Sequence, residues 1–289
     1  MIVGIHGKVF KNRRATVKRV FKLLEYYDAT ILVSEDFGKI LKSAGWKVNY
    51  PTYSKYSVNE LNCLFSLGGD GTLLESLTHI GKLQTPILGI NIGRLGYLAT
   101  ISKDNLEEAI AAVFENNYEI DQRILLRLSG HGDLFEGIDF ALNDFTILKK
   151  DTSSMIMVNV SIDGEFMNSY WADGLIVATP TGSTGYSLSC GGPLVFPHSN
   201  NFVITPVAPH NLTTRPAVIS AKSELTFEIE GRAKNVLFTL DSRSRSISKN
   251  TRLVIRKERF KANLIKIKGH NNFDTLRQKL NWGLDVRNY

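Results

Sequence analysis

The chain has 289 residues, 43% of them apolar, which suits one large globular domain or two smaller ones and excludes a disordered polymer. No apolar run approaches the roughly 18 residues of a membrane-spanning helix, so no membrane partner is expected. The formal net charge of +7 is spread without any block of like charges, which argues against nucleic acid and for small phosphorylated ligands drawn by a positive surface.

Ile2 to His6 reads as a strand and lacks the basic start and apolar core of a secretory signal, so a cytoplasmic protein is expected. The spacing of Val17, Val20, Phe21, Leu24 and Tyr27 predicts a helix over 16–27. Strands are predicted at 30–34, 46–50, 62–67 and 86–91, with a helix over 72–80 between the last two. A helix over 105–116 follows, with Leu106, Ile110 and Val113 on one face. Short apolar runs alternating with helices are the pattern of a parallel sheet, so residues 1–118 are expected to form a Rossmann-like α/β domain. From about residue 119 the period changes to two. Ile156, Val158, Val160 and Ile162 alternate with Met157, Asn159 and Ser161, and similar runs recur at 225–229, 236–240, 253–255 and 264–267. Residues 119–270 are therefore expected to form a β-rich, sandwich-like domain of antiparallel strands. Helical spacing returns over 273–284, and 271–289 is expected to pack back on the first domain. Cys63 and Cys190 stand far apart, in neither disulfide nor zinc-ligand spacing.

The stretch Leu64-Phe65-Ser66-Leu67-Gly68-Gly69-Asp70-Gly71-Thr72 reads as a buried strand, a glycine turn and the start of a helix. At the carboxyl end of a strand in an open α/β sheet, such a turn lets backbone approach an anion, and the helix amino terminus attracts phosphate. A carboxylate beside phosphate is electrostatically unfavourable unless it acts there. Asp70 could accept a proton from an attacking hydroxyl or help to hold Mg²⁺. As an ordinary turn or helix-capping residue it would do neither. Neither the P-loop pattern nor a Rossmann G-x-G-x-x-G occurs.

A second stretch runs from Asp173-Gly174 through an apolar strand into Thr179-Pro180-Thr181-Gly182-Ser183-Thr184-Gly185-Tyr186-Ser187-Leu188-Ser189. It could donate hydrogen bonds to phosphate, ribose or base, with Tyr186 offering an aromatic face, or it could be a plain connection of turn formers. Asn143-Asp144 interrupts an apolar strand. A polar pair there needs partners, either a ligand hydroxyl or local backbone.

In this order, Gly68 to Thr72, Asn143-Asp144, and Asp173-Gly174 leading into 179–184 resemble the motifs of the NAD kinase family. Gly89-Ile90-Asn91 with Gly93, Leu95, Gly96 and Tyr97, then Gly191-Gly192-Pro193, and His210-Asn211-Leu212 with Arg215-Pro216, extend the resemblance over most of the chain. The glycine-aspartate turn by itself is shared with diacylglycerol kinases, sphingosine kinases and phosphofructokinases. The resemblance implies an α/β domain, a β-rich domain and an active site between them. It also implies transfer of the terminal phosphoryl group of ATP, or of another donor such as polyphosphate, to the 2′-hydroxyl of the adenosine ribose of NAD, with Mg²⁺ or another divalent cation.

Carried over, the resemblance makes Asp70 the catalytic base. It places Gly68, Gly69, Gly71, Thr72, Tyr97, Asn143, Asp144, Asp173, Thr184, Gly185, Tyr186, Ser189 and Ala208 at the nucleotide sites, with no protein residue assigned to metal. Asp173 would hold the nicotinamide end and can reach a neighbouring subunit's ligand, so a homodimer or homotetramer is expected. Gly185 stands where the family usually has Ala, Asp144 where many members have Glu, and Asp241-Ser242-Arg243 where Asp-Gly-Gln is common. The last departure bears on the shape of the late hairpin, because serine adopts positive φ less readily than glycine. A lipid kinase with the same turn, or a regulator that binds NAD without turnover, are the rival readings.

Overall fold

Two bodies of packed secondary structure divide the chain, residues 1–122 with 263–289, and residues 123–262. The computed structural model describes residues 1–8, 13–47, 49–55, 60–93, 96–150, 155–232, 234–269 and 272–280.

The first body alternates strand and helix: β1 (Ile2–Gly7), α1 (Arg14–Tyr26), β2 (Thr30–Ser34), α2 (Glu35–Ser43), β3 (Thr52–Tyr53), β4 (Cys63–Gly68), α3 (Asp70–Ile80), β5 (Ile87–Asn91), α4 (Leu106–Phe114) and β6 (Tyr118–Arg123). The second body holds β7 (Leu126–Ser129), β8 (Phe140–Ala141), β9 (Asp144–Lys149), β10 (Ile156–Ile162), β11 (Glu165–Ala172), β12 (Gly174–Ala178), the short helix α5 (Tyr186–Ser189), and β13 (Asn201–Val207). It continues with β14 (Ala217–Ser220), β15 (Leu225–Glu230), β16 (Asn235–Leu240), β17 (Arg243–Ser248) and β18 (Leu253–Lys257). The chain then returns to the first body with β19 (Ala262–Ile267) and α6 (Asn272–Leu280).

The first sheet has the order β3-β2-β1-β4-β5-β19-β6, with β1, β2, β4 and β5 in parallel register. Every residue of β4 and of β5 is buried. That is what a parallel strand covered by helices on both faces demands, and it explains their unbroken apolar runs. Successive strands run outward from β1 on one side as β2 and β3, and on the other as β4 and β5. The β1/β4 step is therefore a topological switch point, where ligands bind open α/β sheets beyond the strand carboxyl ends. The Gly68–Thr72 turn lies there.

The second body consists of two six-stranded sheets, β11-β10-β15-β18-β7-β8 and β14-β13-β12-β9-β16-β17. Their facing rows, among them Val158, Val160, Phe227 and Ile255 from one sheet and Phe145, Ile147, Val177 and Phe238 from the other, share one core. Each such side chain contributes about 1.5–3 kcal/mol on burial, and the alternation seen in the sequence is the inward face of this sandwich.

Four local expectations change. Residues 46–47 and 49–50 form no strand, and Val48 lies outside the described residues. Trp46 and Tyr50 instead pack on Phe21 of α1, with ring centroids 6.4 and 5.1 Å away, and the edge strand starts after Pro51, whose carbonyl accepts from Val33 N. Helix α2 went unread because Ser34 both ends β2 and caps the helix, its Oγ accepting from Phe37 N at 3.2 Å. The run 264–267 pairs in parallel with β5 (Leu264 opposite Ile87) and so belongs to the first sheet, which ends the second body at 262 rather than 270. The tail helix spans Asn272–Leu280, and 281–284 lie outside the described residues.

Beneath α3, beside the switch point, lies a polar cluster. His6 Nδ1 is 2.8 Å from Ser34 Oγ, His6 Nε2 is 3.7 Å from Glu75 Oε2, and the His6 and His79 rings are 4.4 Å apart. Burial, followed by the charges of His6 and Lys55, pushes the buried His79 imidazole down to about 4, against the pull of Asp36 and Glu75. A histidine depressed in the folded state contributes stability that is full above its unfolded value of 6.5 and is lost as pH falls toward 4. The size is on the order of 3 kcal/mol. Other groups titrate over the same range, so the readout is a difference. Relative to His79→Phe, the wild type should lose that much stability between pH 7 and pH 4.5 in urea titrations, and a constant difference would contradict the assignment.

Candidate active site

In the first body a candidate site is built on the Gly68–Thr72 turn. Gly68 is demanded by packing, since a Cβ there would lie 2.1 Å from Thr72 Oγ1. Gly69 and Gly71 are not. A Cβ on either would meet no protein atom within 4 Å, and neither residue has positive φ. Neither packing nor backbone conformation within the protein demands glycine at these two positions, and both leave the backbone open to close approach. Helix α3 begins at Asp70, so its first-turn amides and positive dipole end lie at the same place.

Asp70 faces the segment after β5. Its Oδ2 accepts from Tyr97 N at 2.7 Å, and its Oδ1 from Leu98 N at 2.9 Å and Ala99 N at 3.0 Å. A carboxylate has about four acceptor positions; three amides fill three of them and leave one, on Oδ2. Two glycines make this clamp possible. A Cβ on Gly96 would sit 1.9 Å from Asp70 Oδ1, and one on Gly89 would meet Ala99 Cα at 2.8 Å, so 96–99 can press onto both the carboxylate and β5. Asn91 Oδ1 accepts from Gly93 N at 2.6 Å, fixing the start of that segment; Leu95 lies outside the described residues. The Tyr97 phenol is pushed up by burial and then by Asp70, and Lys279 Nζ lies 5.3 Å from its ring centroid.

In the second body a separate group of candidate residues lies in the sandwich. Asn143 and Asp144 stand where β8 gives way to β9, and the loop after β12 presses on them. Thr179 N donates to Asn143 O at 2.8 Å, and a Cβ on Gly182 would lie 2.0 Å from that same oxygen. Within the loop, Ser183 Oγ donates to Pro180 O at 2.7 Å and accepts from Val195 N at 3.0 Å, so the serine braces the turn rather than facing outward. A Cβ on Gly185 would come within 4.0 Å of Asp144 Oδ2. Tyr186 is 40% exposed, its phenol raised by burial first, then by Cys190, Asp144 and Asp173. Asn143 Oδ1 is buried without a hydrogen-bond partner among the described residues, an arrangement that a ligand donor would satisfy. Asp144 is buried, and burial followed by the charge of Asp241 pushes its carboxyl up to about 7.

Asp173, between β11 and β12, forms an ion pair with Lys149 at 2.6 Å, and its amide donates to Val207 O at 3.0 Å. Two residues after Pro206, Ala208 is held at φ +44, a left-handed conformation unusual for a residue with a Cβ. Such strain persists where surrounding structure imposes it and concentrates at functional sites.

Residues 7–118 match the description ATP-NAD kinase N-terminal domain, and residues 142–267 match ATP-NAD kinase C-terminal domain. The chain is 46% identical to an NAD kinase of Cytophaga hutchinsonii over 100% of both chains, and 42% identical to one of Bacteroides fragilis over 99% of this chain and 100% of that one. It belongs to the NAD kinase family. Among solved structures, a yeast NADH kinase complexed with NADH superposes with a TM-score of 0.85 at 23% identity, covering 99% of this chain and 89% of that one. An NAD kinase from Archaeoglobus fulgidus in complex with ATP gives 0.77 at 27% identity, covering 97% and 99%.

Measured against the family motifs, the first body gathers Gly68, Gly69, Asp70, Gly71, Thr72 and Tyr97, and the second gathers Asn143, Asp144, Thr184, Gly185 and Tyr186. Ser189 is exposed, whereas Ser187 is buried and bonded to Thr205 Oγ1 at 2.8 Å. Two partners were not singled out from sequence, Lys149 opposite Asp173 and Asp241 opposite Asn143-Asp144. The second had a visible signal in the departure Asp241-Ser242-Arg243. The hairpin places Asp241 itself at φ +53, while Ser242 has no positive φ, so serine there is unstrained. No group of three or more metal-binding side chains occurs among the described residues.

Proposed function

We infer that this chain phosphorylates NAD, moving the terminal phosphoryl group of an Mg²⁺-bound nucleoside triphosphate to the 2′-hydroxyl of the adenosine ribose. The observation that carries the reading is the clamped carboxylate of Asp70, which keeps one free acceptor position beside a glycine turn that the protein's own packing does not explain. The amides of that turn and the amino terminus of α3 hold donor phosphates. Asp70 receives the hydrogen of the attacking hydroxyl, and three amides keep its carboxylate from rotating away as the bond forms. The Asn143-Asp144 pair, the 179–189 loop and Asp173 take the dinucleotide, with Tyr186 and Ala208 at its border. ATP is the donor assayed first, with other triphosphates and polyphosphate as alternatives.

The same reading includes a cytoplasmic protein, where the free thiols of Cys63 and Cys190 stay reduced. It also includes a homodimer or homotetramer, supported by the exposed Phe166 and Trp171 on edge strand β11. The deciding assay mixes purified protein with NAD, ATP and Mg²⁺ and follows NADP; absence of NADP with every donor would refute the function.

Gly69→Ala separates ligand approach from folding. With no protein atom in the way, its melting temperature should stay within the shift of about 1 kcal/mol that a Gly→Ala change brings. The KM for ATP should rise about tenfold or more as the methyl enters the phosphate's path. An unchanged KM would remove the phosphates from this turn.

A further inference from the structure

The tip of the β16–β17 hairpin holds more than its own turn. Asp241, its side chain 5% exposed, accepts from three consecutive amides: Leu142 N at 3.0 Å on Oδ2, with Asn143 N at 2.7 Å and Asp144 N at 3.3 Å on Oδ1. Its own amide returns a bond to Asp144 O at 2.9 Å. These three amides lie at the junction of β8 and β9. The carboxylate takes the place of a partner strand there.

Arg243, two residues on, secures the approach to the same junction. Its guanidinium donates to Ile138 O at 2.5 Å and to Phe140 O, and it lies over the rings of Phe135 and Phe140 at 5.7 and 5.8 Å. One nitrogen is 4.0 Å from Asp241 Oδ2. One turn thus fixes the backbone from Ile138 to Asp144, with an anion tying the loop and a cation tying the segment that leads into it.

We propose that Asp241 and Arg243 are positioning residues for the acceptor, with Asp241 setting the aim of Asn143 and the charge that Asp144 presents to the ribose. The proposal rests on the reading of Asn143 and Asp144 as dinucleotide contacts. Asp144 and Asp241 form a close pair of buried carboxyls, both pushed up by burial. Two such groups titrate as a pair, and one of them takes up the first proton. It resides on Asp144, because the oxygens of Asp241 are occupied by amide donors that favour the ionised form. Tyr186 on α5 interacts with Asp144, Arg243 on the hairpin lies 4.0 Å from Asp241, and Asp173 acts on Tyr186 and is itself paired with Lys149. Near neutrality, then, Asp144 changes from a hydrogen-bond donor to an acceptor for a ribose hydroxyl.

The two residues should move the titration of Asp144 in opposite directions, which loosening of the loop would not do. In Asp241→Asn the neighbouring negative charge is gone, so the midpoint of Asp144 should fall by about one pH unit or more. In Arg243→Gln that charge loses its compensation, so the midpoint should rise; Arg243→Lys should restore it. The probe is the carboxyl carbon of Asp144 by NMR, assigned with Asp144→Asn, which needs no activity. In parallel, the KM for NAD should rise about tenfold in Asp241→Asn and Arg243→Gln while the KM for ATP holds. If Asp241→Asn does not fold, the Arg243→Gln and Arg243→Lys pair carries the test. Midpoints that stay put, or that move together, overturn the positioning role. Opposite shifts with an unchanged KM for NAD overturn the acceptor role and the reading of Asn143-Asp144 beneath it.

Discussion

Asp70→Asn should lower kcat for NADP formation by about a hundredfold to ten-thousandfold, the range for a lost general base, and it should also melt earlier than the wild type. The second effect follows from the clamp. Asparagine offers one acceptor oxygen, so its amide nitrogen must face at least one of the three N–H groups that Asp70 accepts from Tyr97, Leu98 and Ala99. A buried donor left facing a donor costs about 1–3 kcal/mol. A rate loss in this variant alone therefore mixes chemistry with a displaced segment. Gly96→Ala supplies the control, since its methyl would lie 1.9 Å from Asp70 Oδ1 and moves the carboxylate while keeping it. If Asp70 acts by position and charge together, both variants lose kcat, whereas a purely structural Asp70 would leave the rate per folded molecule close to wild type. Turnover by Asp70→Asn at the wild-type rate, measured on the folded fraction, would end its assignment as the base.

What was legible in the sequence follows from which forces are local. The buried strands β4 and β5 and the helices on Val17 to Leu24 and on Leu73 to Ile80 could be read because burial imposes a period, and so could the alternation of β10. The Gly68–Thr72 turn was legible as an anion-binding shape, but the residues alone left Asp70 as either a cap or a reactive group. Its partners lie 27 to 29 positions away in the chain, a pairing no local pattern encodes. The same is true of Asp241, whose contacts reach back 97 to 99 positions, and of β19, whose alternation looked like the sandwich it follows yet whose pairing lies in the first sheet. Helix α2 was hidden for a different reason: a single serine ends one element and caps the next, leaving no loop to announce the change.

The glycines of the two bodies show how sequence and structure divide the explanation. Gly69 and Gly71 have open space where a side chain would be, so the fold itself does not require them; the proposed phosphate contact would. Gly96 and Gly182 have none, and their selection points inward to a neighbour that must come close. All four look alike in sequence. Only the distances separate the glycine that the fold requires from the one it does not.

Gly182→Ala should therefore be the most damaging small change in the second body. Its Cβ would stand 2.0 Å from Asn143 O, 2.5 Å from the carbonyl carbon and 2.8 Å from Cα, all backbone atoms that no rotamer change can move. Relief means lifting the loop off Asn143, which breaks the Thr179 N bond to Asn143 O and the Thr179 hydroxyl bond to Leu142 O. Overpacking of this kind costs about 1–3 kcal/mol or more. The amides of Leu142, Asn143 and Asp144 are tied to Asp241 on their other side, so the strain falls on the pair proposed to face the dinucleotide. A displacement of about 1 Å there is enough for a hundredfold loss in kcat/KM for NAD, with KM for ATP nearly unchanged. Gly185→Ala, three residues on, meets Gly182 O at 3.2 Å, a contact that a shift of a few tenths of an ångström relieves, and Asp144 Oδ2 at an ordinary 4.0 Å, and should keep most of its activity. Equal tolerance of alanine at 182 and 185 would mean that the loop does not rest on Asn143 as the dinucleotide site requires.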